Sequence, residues 1–181
     1  ALLSFHGMDG NAWQRYGDKG RWYYEVVDYG FKAHLGDPAA ALGLVQLGRS
    51  DEFMRIRAAI VARYNAAFAE LPGVVTPVEA DWATHAWHLY ILRVDPEIVR
   101  EGRDGLVADL AASSIGSSVH FIPLHHHPVY REEAAQFVPQ LTETDRYYRE
   151  AISLPLFPGM TDQEIEDVIT VVTGSIGRRS R

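Results

Sequence analysis

Apolar residues recur every three to four positions in several stretches of the chain, which is the pattern of a helix with one buried face. In the stretch that follows Ser50, the apolar residues at this spacing are Phe53, Ile56, Ile60, Tyr64 and Phe68. Ser50 can cap a helix at its start, and Pro72-Gly73 cannot continue one. The pattern therefore predicts a long amphipathic helix that begins at Ser50 and ends before Pro72.

Four further helices are predicted from capping residues and apolar spacing. Asp37 is a carboxylate at a helix start and Pro38 stands in the first turn, which favours a helix from Pro38 to about Leu47. Thr161 and Glu164 form the capping-box pattern that opens a last helix. The predicted ranges are 38–47, 103–113, 142–152 and 163–172, and the tail 177–181 is expected to be frayed.

Three stretches are rich in aromatic and β-branched residues, which is the composition of β-strands. They are residues 23–28, 86–94 and 118–122. Pro96 and Pro123 close the last two, because proline offers no amide hydrogen to a sheet. Strands separated by helices predict an α/β or α+β domain.

Charge and composition narrow the class of protein. The 181 residues are 47% hydrophobic and carry a net charge of −7, which allows a core but gives no general attraction for nucleic acid. The absence of cysteine excludes disulfides, thiolate catalysis and cysteine-ligated metal centres. No apolar stretch approaches the roughly 20 residues that span a bilayer, and the first residues lack the pattern of a signal peptide. We therefore expect a cytoplasmic protein with neither a membrane nor a nucleic-acid partner.

Histidines form the first candidate site. His125, His126 and His127 are consecutive, and His120 precedes them. Imidazole is the commonest metal ligand, but consecutive side chains on an extended chain point in different directions. No acidic residue stands at the spacing of a known metal motif. We therefore expect no metal site and interpret the segment as a pocket wall, with a histidine-dependent metal protein as an alternative.

Four segments, in order along the chain, carry a resemblance to a known family. They are residues 29–47, 85–90 (HAWHLY), 119–125 (VHFIPLH) and 153–162 (SLPLFPGMTD), and the sequence FHGM at 5–8 also fits. Together they resemble the DegT/DnrJ/EryC1/StrS family of nucleotide-sugar aminotransferases. The resemblance runs over nearly the whole chain, but it covers only the C-terminal part of that family.

The resemblance implies a fold type I, homodimeric, pyridoxal-phosphate-dependent architecture. Residues 1–50 would be a remnant of the large cofactor-binding domain that includes one helix. Residues 51–181 would be the small C-terminal domain, a few-stranded antiparallel sheet with helices. The implied substrate is a nucleotide-linked keto-deoxysugar such as a dTDP-4-keto-6-deoxyhexose, with an amino acid as the donor.

The resemblance also assigns residues to the site. The Schiff-base lysine of the family lies upstream of the FHGM motif, so this sequence is expected to hold no catalytic residue. Lys32 and His34 would contact the cofactor phosphate. His88, His120, Phe121 and His125 would line the sugar pocket.

Three functional hypotheses follow. The first is the C-terminal half of a sugar aminotransferase, with the N-terminal half as a partner polypeptide and a homo-oligomeric assembly. In that case pyridoxal phosphate binds only when both halves are present, because transamination needs the lysine amine. The second is a non-catalytic remnant or binding module that binds no cofactor. The third is the histidine-cluster metal protein.

Overall fold

The computed structural model describes residues 2–8 and 24–181. The chain divides into two compact units, Ala1–Ser50 and Asp51–Arg181. In the described ranges, none of the helices combines the length and the apolar character needed to cross a membrane. The identity of the first unit as a remnant of a cofactor-binding domain stays a prediction.

The first unit contains one described helix, α1, which spans Asp37–Gly48 and confirms the predicted helix 38–47. The residue before it, Gly36, occupies the N-cap position, so Asp37 is the first helical residue rather than the cap. The predicted strand 23–28 is wrong for its described residues, which form a single antiparallel bridge between Val26 and Met8. Tyr23 and most of the predicted loop 7–21 lie outside the described residues.

Gly7 is needed for the close packing of the FHGM segment. Its φ is +70°, and a Cβ atom there would lie 1.8 Å from the carbonyl oxygen of Asp28. The Gly7 carbonyl also accepts a 2.8 Å hydrogen bond from the Val27 amide. Only glycine combines this left-handed conformation with so close a backbone approach.

The remaining elements are helices and three short strands. The helices and strands are α2 (Ser50–Phe68), β1 (Val74–Val75), β2 (Tyr90–Val94), α3 (Gly102–Ala112), α4 (Arg131–Ala134), α5 (Thr142–Glu150), β3 (Ala151–Leu154) and α6 (Asp162–Arg179). Three 3-10 turns lie before α5, at Leu124–His126, Pro128–Tyr130 and Val138–Gln140.

The three strands form one antiparallel sheet in the order β1-β2-β3. Val74 pairs with Val94 at one edge, and Tyr90 pairs with Leu154 at the other. The inward residues of β2 are fully buried while those between them are partly exposed, which is the alternation of a sheet with one face on a core. The predicted fold class, an α/β chain with a few-stranded antiparallel sheet and helices, is confirmed.

The core of the second unit lies between this sheet and the helices. Tyr64 of α2 meets Tyr90 edge-on with ring centroids 5.0 Å apart, and the ring of Phe68 lies 5.5 Å from that of Tyr64. Both tyrosine hydroxyls keep a partner, Asn65 Oδ1 for Tyr90 and the Pro155 carbonyl for Tyr64. Burial raises the pKa of both phenols above the ordinary value.

The helix predicted from Ser50 is confirmed, and three of its expected inward residues, Ile60, Tyr64 and Phe68, are buried. The capping box at Thr161 and Glu164 is also confirmed, since each side chain bonds the other residue's backbone amide. The resulting helix, α6, is longer than predicted and continues to Arg179. The prediction that residues 177–181 are frayed is therefore wrong, because Arg179 pairs with Asp109 and Glu101.

Three predicted boundaries of strands and helices are wrong. The strand 86–94 begins only at Tyr90, because Trp87 adopts a φ of +49° that a strand cannot contain. The strand 118–122 reduces to one bridge between Ser118 and Ser153. The helix 142–152 ends at Glu150, and the next residues form β3, whose side chains are all buried.

Candidate functional site

His120 is held in place by β3. The backbones of Ser118 and Ser153 exchange two hydrogen bonds, of 3.2 and 2.7 Å, which bring the segment alongside the strand. His120 Nδ1 then lies 2.8 Å from Ser153 Oγ. Phe121 follows with 77% of its surface exposed and its ring edge-on to His120 at 4.7 Å. The segment therefore presents an unburied aromatic ring beside an anchored imidazole.

His125 and His126 converge on one carboxylate. They lie in the 3-10 turn Leu124–His126, where successive side chains do not alternate as they do on an extended chain. His125 Nε2 and His126 Nε2 lie 2.7 and 2.8 Å from the same atom, Asp145 Oδ1 of α5. The hydrogen bond to His125, reinforced by that to His126, lowers the pKa of the Asp145 carboxyl. The assumption that these imidazoles point apart is therefore wrong.

His85 and His88 occupy the irregular segment before β2. The Trp87 amide donates a 2.8 Å hydrogen bond to His85 Nδ1, and the two rings stack with centroids 4.1 Å apart. His88 is exposed and has no hydrogen bond or ion pair with any residue that the structure describes. Its imidazole is therefore free to meet a ligand.

Lys32 and His34 lie in the first unit, beside the FHGM segment. The backbone of Lys32 forms an antiparallel bridge with Phe5, and the ring of His34 stacks on the ring of Phe5 at 4.5 Å with an angle of 8°. Both residues are exposed. An exposed lysine amine is a point charge that can hold a phosphate. These two positions therefore suit a phosphate contact.

Within the second unit, the structure brings two of the predicted site residues into contact with partners that hold them. It brings His125 together with His126 and Asp145, and it anchors His120 to Ser153. Sequence reasoning missed Asp145, which lies 20 residues from His125, since no local motif signals such a contact. A cavity of about 630 Å³ lies beside α6, and its lining residues include none of the predicted site residues.

The architecture defines a class of protein. A small antiparallel sheet with flanking helices, preceded by a separate unit, matches solved sugar aminotransferases over nearly all of this chain. TlmJ of Streptoalloteichus hindustanus, an aminotransferase, shares 27% identity with a TM-score of 0.78, covering 98% of this chain and 43% of that chain. Spr1654 of Streptococcus pneumoniae, assigned as a sugar aminotransferase and known in a PLP form, shares 28% identity with a TM-score of 0.80. The match covers 98% of this chain and 42% of that chain. The fold is thus the C-terminal part of a fold type I aminotransferase.

The sequence comparison identifies the family. The family model for DegT/DnrJ/EryC1/StrS aminotransferases matches residues 1–173, and the chain belongs to that family. The spore coat polysaccharide biosynthesis protein SpsC of Bacillus subtilis is 43% identical over 172 residues, which are 94% of this chain and 44% of SpsC. The chain therefore spans less than half the length of the curated relatives it matches.

The described residues fit part of a pyridoxal phosphate site. The cofactor is expected for the family, and Lys32 offers the cation that a phosphate needs. Lys32 is also the one lysine within the described ranges, and the resemblance of the first motif implies a phosphate contact for it rather than a Schiff base. Among the described residues, the fit to the cofactor is therefore limited to a candidate phosphate contact.

Proposed function

We propose that this chain supplies the C-terminal part of an enzyme that transfers an amino group from an amino acid to a nucleotide-linked keto-deoxysugar. The observation that carries the proposal is the family match over residues 1–173. The similarity to SpsC, a polysaccharide biosynthesis protein, supports a sugar as the acceptor. The chain alone is expected to be inactive, because neither Lys19 nor Lys32 stands where the resemblance places the Schiff-base lysine.

Lys32 and His34 would bind the cofactor phosphate. Pyridoxal phosphate, when bound, supplies the electron sink for amino transfer. Lys32 contributes a positive charge, and it has no side-chain bond with the described residues that would compete. His34 is exposed, and its stack on Phe5 orients its ring. Both residues act by binding and orienting the cofactor.

His88, His120, Phe121 and His125 would line the sugar pocket. Phe121 offers an exposed apolar ring, against which the apolar face of a sugar can pack. His120 is fixed by Ser153, and the imidazole of His88, which has no partner among the described residues, can hydrogen-bond a sugar hydroxyl. His125 has only Nδ1 left for a substrate, because Asp145 engages Nε2. These residues orient the sugar and carry none of the covalent chemistry.

The upstream part of the family would cover α1. Four large apolar residues of this helix are more than 60% exposed: Leu42, Leu44, Val45 and Leu47. Exposed apolar patches of this kind mark surfaces that pack against another partner. We therefore propose that α1 contacts the N-terminal half or a second copy of the chain in a homo-oligomer. A cytoplasmic location remains part of the same proposal.

Lys32 gives a direct test in the enzyme that combines this chain with the upstream segment of its family. Lys32→Ala should weaken binding of pyridoxal phosphate by about 1–3 kcal/mol, the scale of a charge-assisted contact. Lys32→Arg keeps the charge and should weaken cofactor binding much less. Equal cofactor affinity in the wild type and Lys32→Ala would reject the phosphate role.

The sugar pocket is tested separately by steady-state kinetics. His88→Ala should raise KM for the sugar nucleotide while leaving the affinity for pyridoxal phosphate unchanged, because His88 is proposed to contact only the sugar. A combined enzyme that binds the cofactor and yet aminates no sugar nucleotide would favour the second hypothesis, a non-catalytic binding module.

A further inference from the structure

His125, His126 and Asp145 bring three ligand atoms of the types that transition metals prefer into one place. One imidazole nitrogen from each histidine and one carboxylate oxygen of Asp145 all lie within 4.8 Å of one another. The two imidazole rings stand nearly perpendicular, at 85°, with centroids 4.5 Å apart. Perpendicular rings can both direct a lone pair at one point without clashing. The arrangement therefore has the donor set of a two-histidine, one-carboxylate site.

The three ligands differ in how firmly they are held. The His125 side chain is 7% exposed, whereas those of His126 and Asp145 are 39% and 33% exposed. The ring of Tyr148 packs edge-on against His126 at 5.5 Å and limits its orientation. One ligand is thus fixed by burial, and the other two have solvent on one side and room to adjust.

An ion would require a small expansion of this cluster. Zinc binds nitrogen and oxygen at roughly 2.0–2.2 Å, so two ligands of a tetrahedral site stand about 3.3 Å apart. The nitrogen–oxygen distances here are 2.7 and 2.8 Å. The side chains must therefore open by about half an ångström, which the exposed His126 and Asp145 allow. Solvent can complete the coordination on the open side.

The charge of the cluster also favours a cation. The Asp145 side chain contributes a carboxylate oxygen that lies within 2.8 Å of both imidazoles. Neutral imidazole is the ligand form of histidine. A divalent ion would replace the two hydrogen bonds with three coordinate bonds.

We propose that His125, His126 and Asp145 bind one divalent first-row transition-metal ion, with Zn²⁺ as the fitting case. The ion would tie the 3-10 turn Leu124–His126 to α5. The turn begins three residues after Phe121, so metal binding would hold that segment in place. His125 is also a proposed sugar contact, through Nδ1, but His126 and Asp145 are not, and binding of an ion is measured without any aminotransferase reaction.

Isothermal titration of the untagged chain with ZnCl₂ tests the site. We expect saturation at one ion per chain. His126→Gln should weaken binding by roughly tenfold or more, because one of three protein ligands is lost. Asp145→Asn should do the same. His127→Gln is the matched control: it removes the adjacent histidine, which has no side-chain bond with the described residues, and should leave the affinity unchanged.

Visible absorption with Co²⁺ as the probe reports the ligand set directly. The wild-type chain should give ligand-field bands that His126→Gln alters, while circular dichroism shows that the exposed substitution leaves the fold intact. Absence of saturable one-to-one Zn²⁺ binding would overturn the proposal. Equal affinity in the wild type, His126→Gln and Asp145→Asn would overturn it too, since the ion would then bind elsewhere.

Discussion

Asp109 joins α3 to the end of α6, and its replacement should measurably destabilise the second unit. Its Oδ2 accepts a 2.6 Å hydrogen bond from Ser175 Oγ, and its Oδ1 accepts a 3.0 Å bond from Arg179 Nη2. Arg178 adds a contact of 3.1 Å. The Asp109 side chain is only 22% exposed and that of Arg179 is 15% exposed. These contacts hold the last turn of α6 against α3.

The size of the effect follows from the pKa of this carboxyl. Arg179, with Ser175 and Arg178, lowers the pKa of Asp109 from 3.8 to about 2. Since one pKa unit corresponds to about 1.4 kcal/mol, the ionised carboxylate stabilises the fold by roughly 2 kcal/mol at neutral pH. A depressed pKa means that this stabilisation is present above the unfolded pKa. It is lost as the pH falls from about 4 through about 2.

Urea unfolding of the wild type and Asp109→Asn at several pH values measures this contribution. We expect the variant to be less stable by roughly 2 kcal/mol at pH 7, and the difference to shrink as the pH approaches 2. Asp81→Asn is the control, because Asp81 is exposed in a turn and should change stability by less than about 0.5 kcal/mol. Equal stability at pH 7, or a difference that persists at pH 2, would refute the argument.

Three further predictions concern the core, the cap and the exposed helix. Phe68→Ala should lower the free energy of unfolding by about 3–5 kcal/mol in urea, because a fully buried ring leaves a cavity; a loss below about 1 kcal/mol would contradict the packing. Thr161→Ala should cost about 1 kcal/mol, with the first turn of α6 exchanging amide hydrogens faster, and unchanged exchange would argue against the capping box. Leu44→Glu should reduce self-association of the chain in light scattering, and an unaltered mass would show that α1 is not the contact surface.

Local sequence signals predicted the long helices well. The apolar spacing from Ser50 to Phe68 and the capping box at Thr161 depend on neighbours within one or two turns, and both appear as expected. β3 was missed because its four residues, three of them apolar, fit a helix as well as a strand. Only pairing with β2, about 60 residues earlier, decides between the two, and that contact leaves no local trace in the sequence.

The candidate site shows the same difference between what local motifs predict and what distant contacts decide. Motif positions singled out His120 and His125, but the residues that fix their imidazoles, Ser153 and Asp145, were not predicted. Each lies 20 or more residues away along the chain. The assumption of an extended backbone at His125 and His126 also hid their convergence, which the 3-10 turn produces. The partner of each histidine is therefore set by the fold and not by the local sequence.

The most direct test of the account is the absorption spectrum of this chain with pyridoxal phosphate, before and after borohydride. The spectrum is recorded for the chain alone and for the chain combined with the upstream segment of its family. The account predicts a reducible band, and amino transfer to a sugar nucleotide, only in the combined sample. A stoichiometric reducible band with the chain alone would mean that Lys19 or Lys32 forms the Schiff base, and would contradict the account.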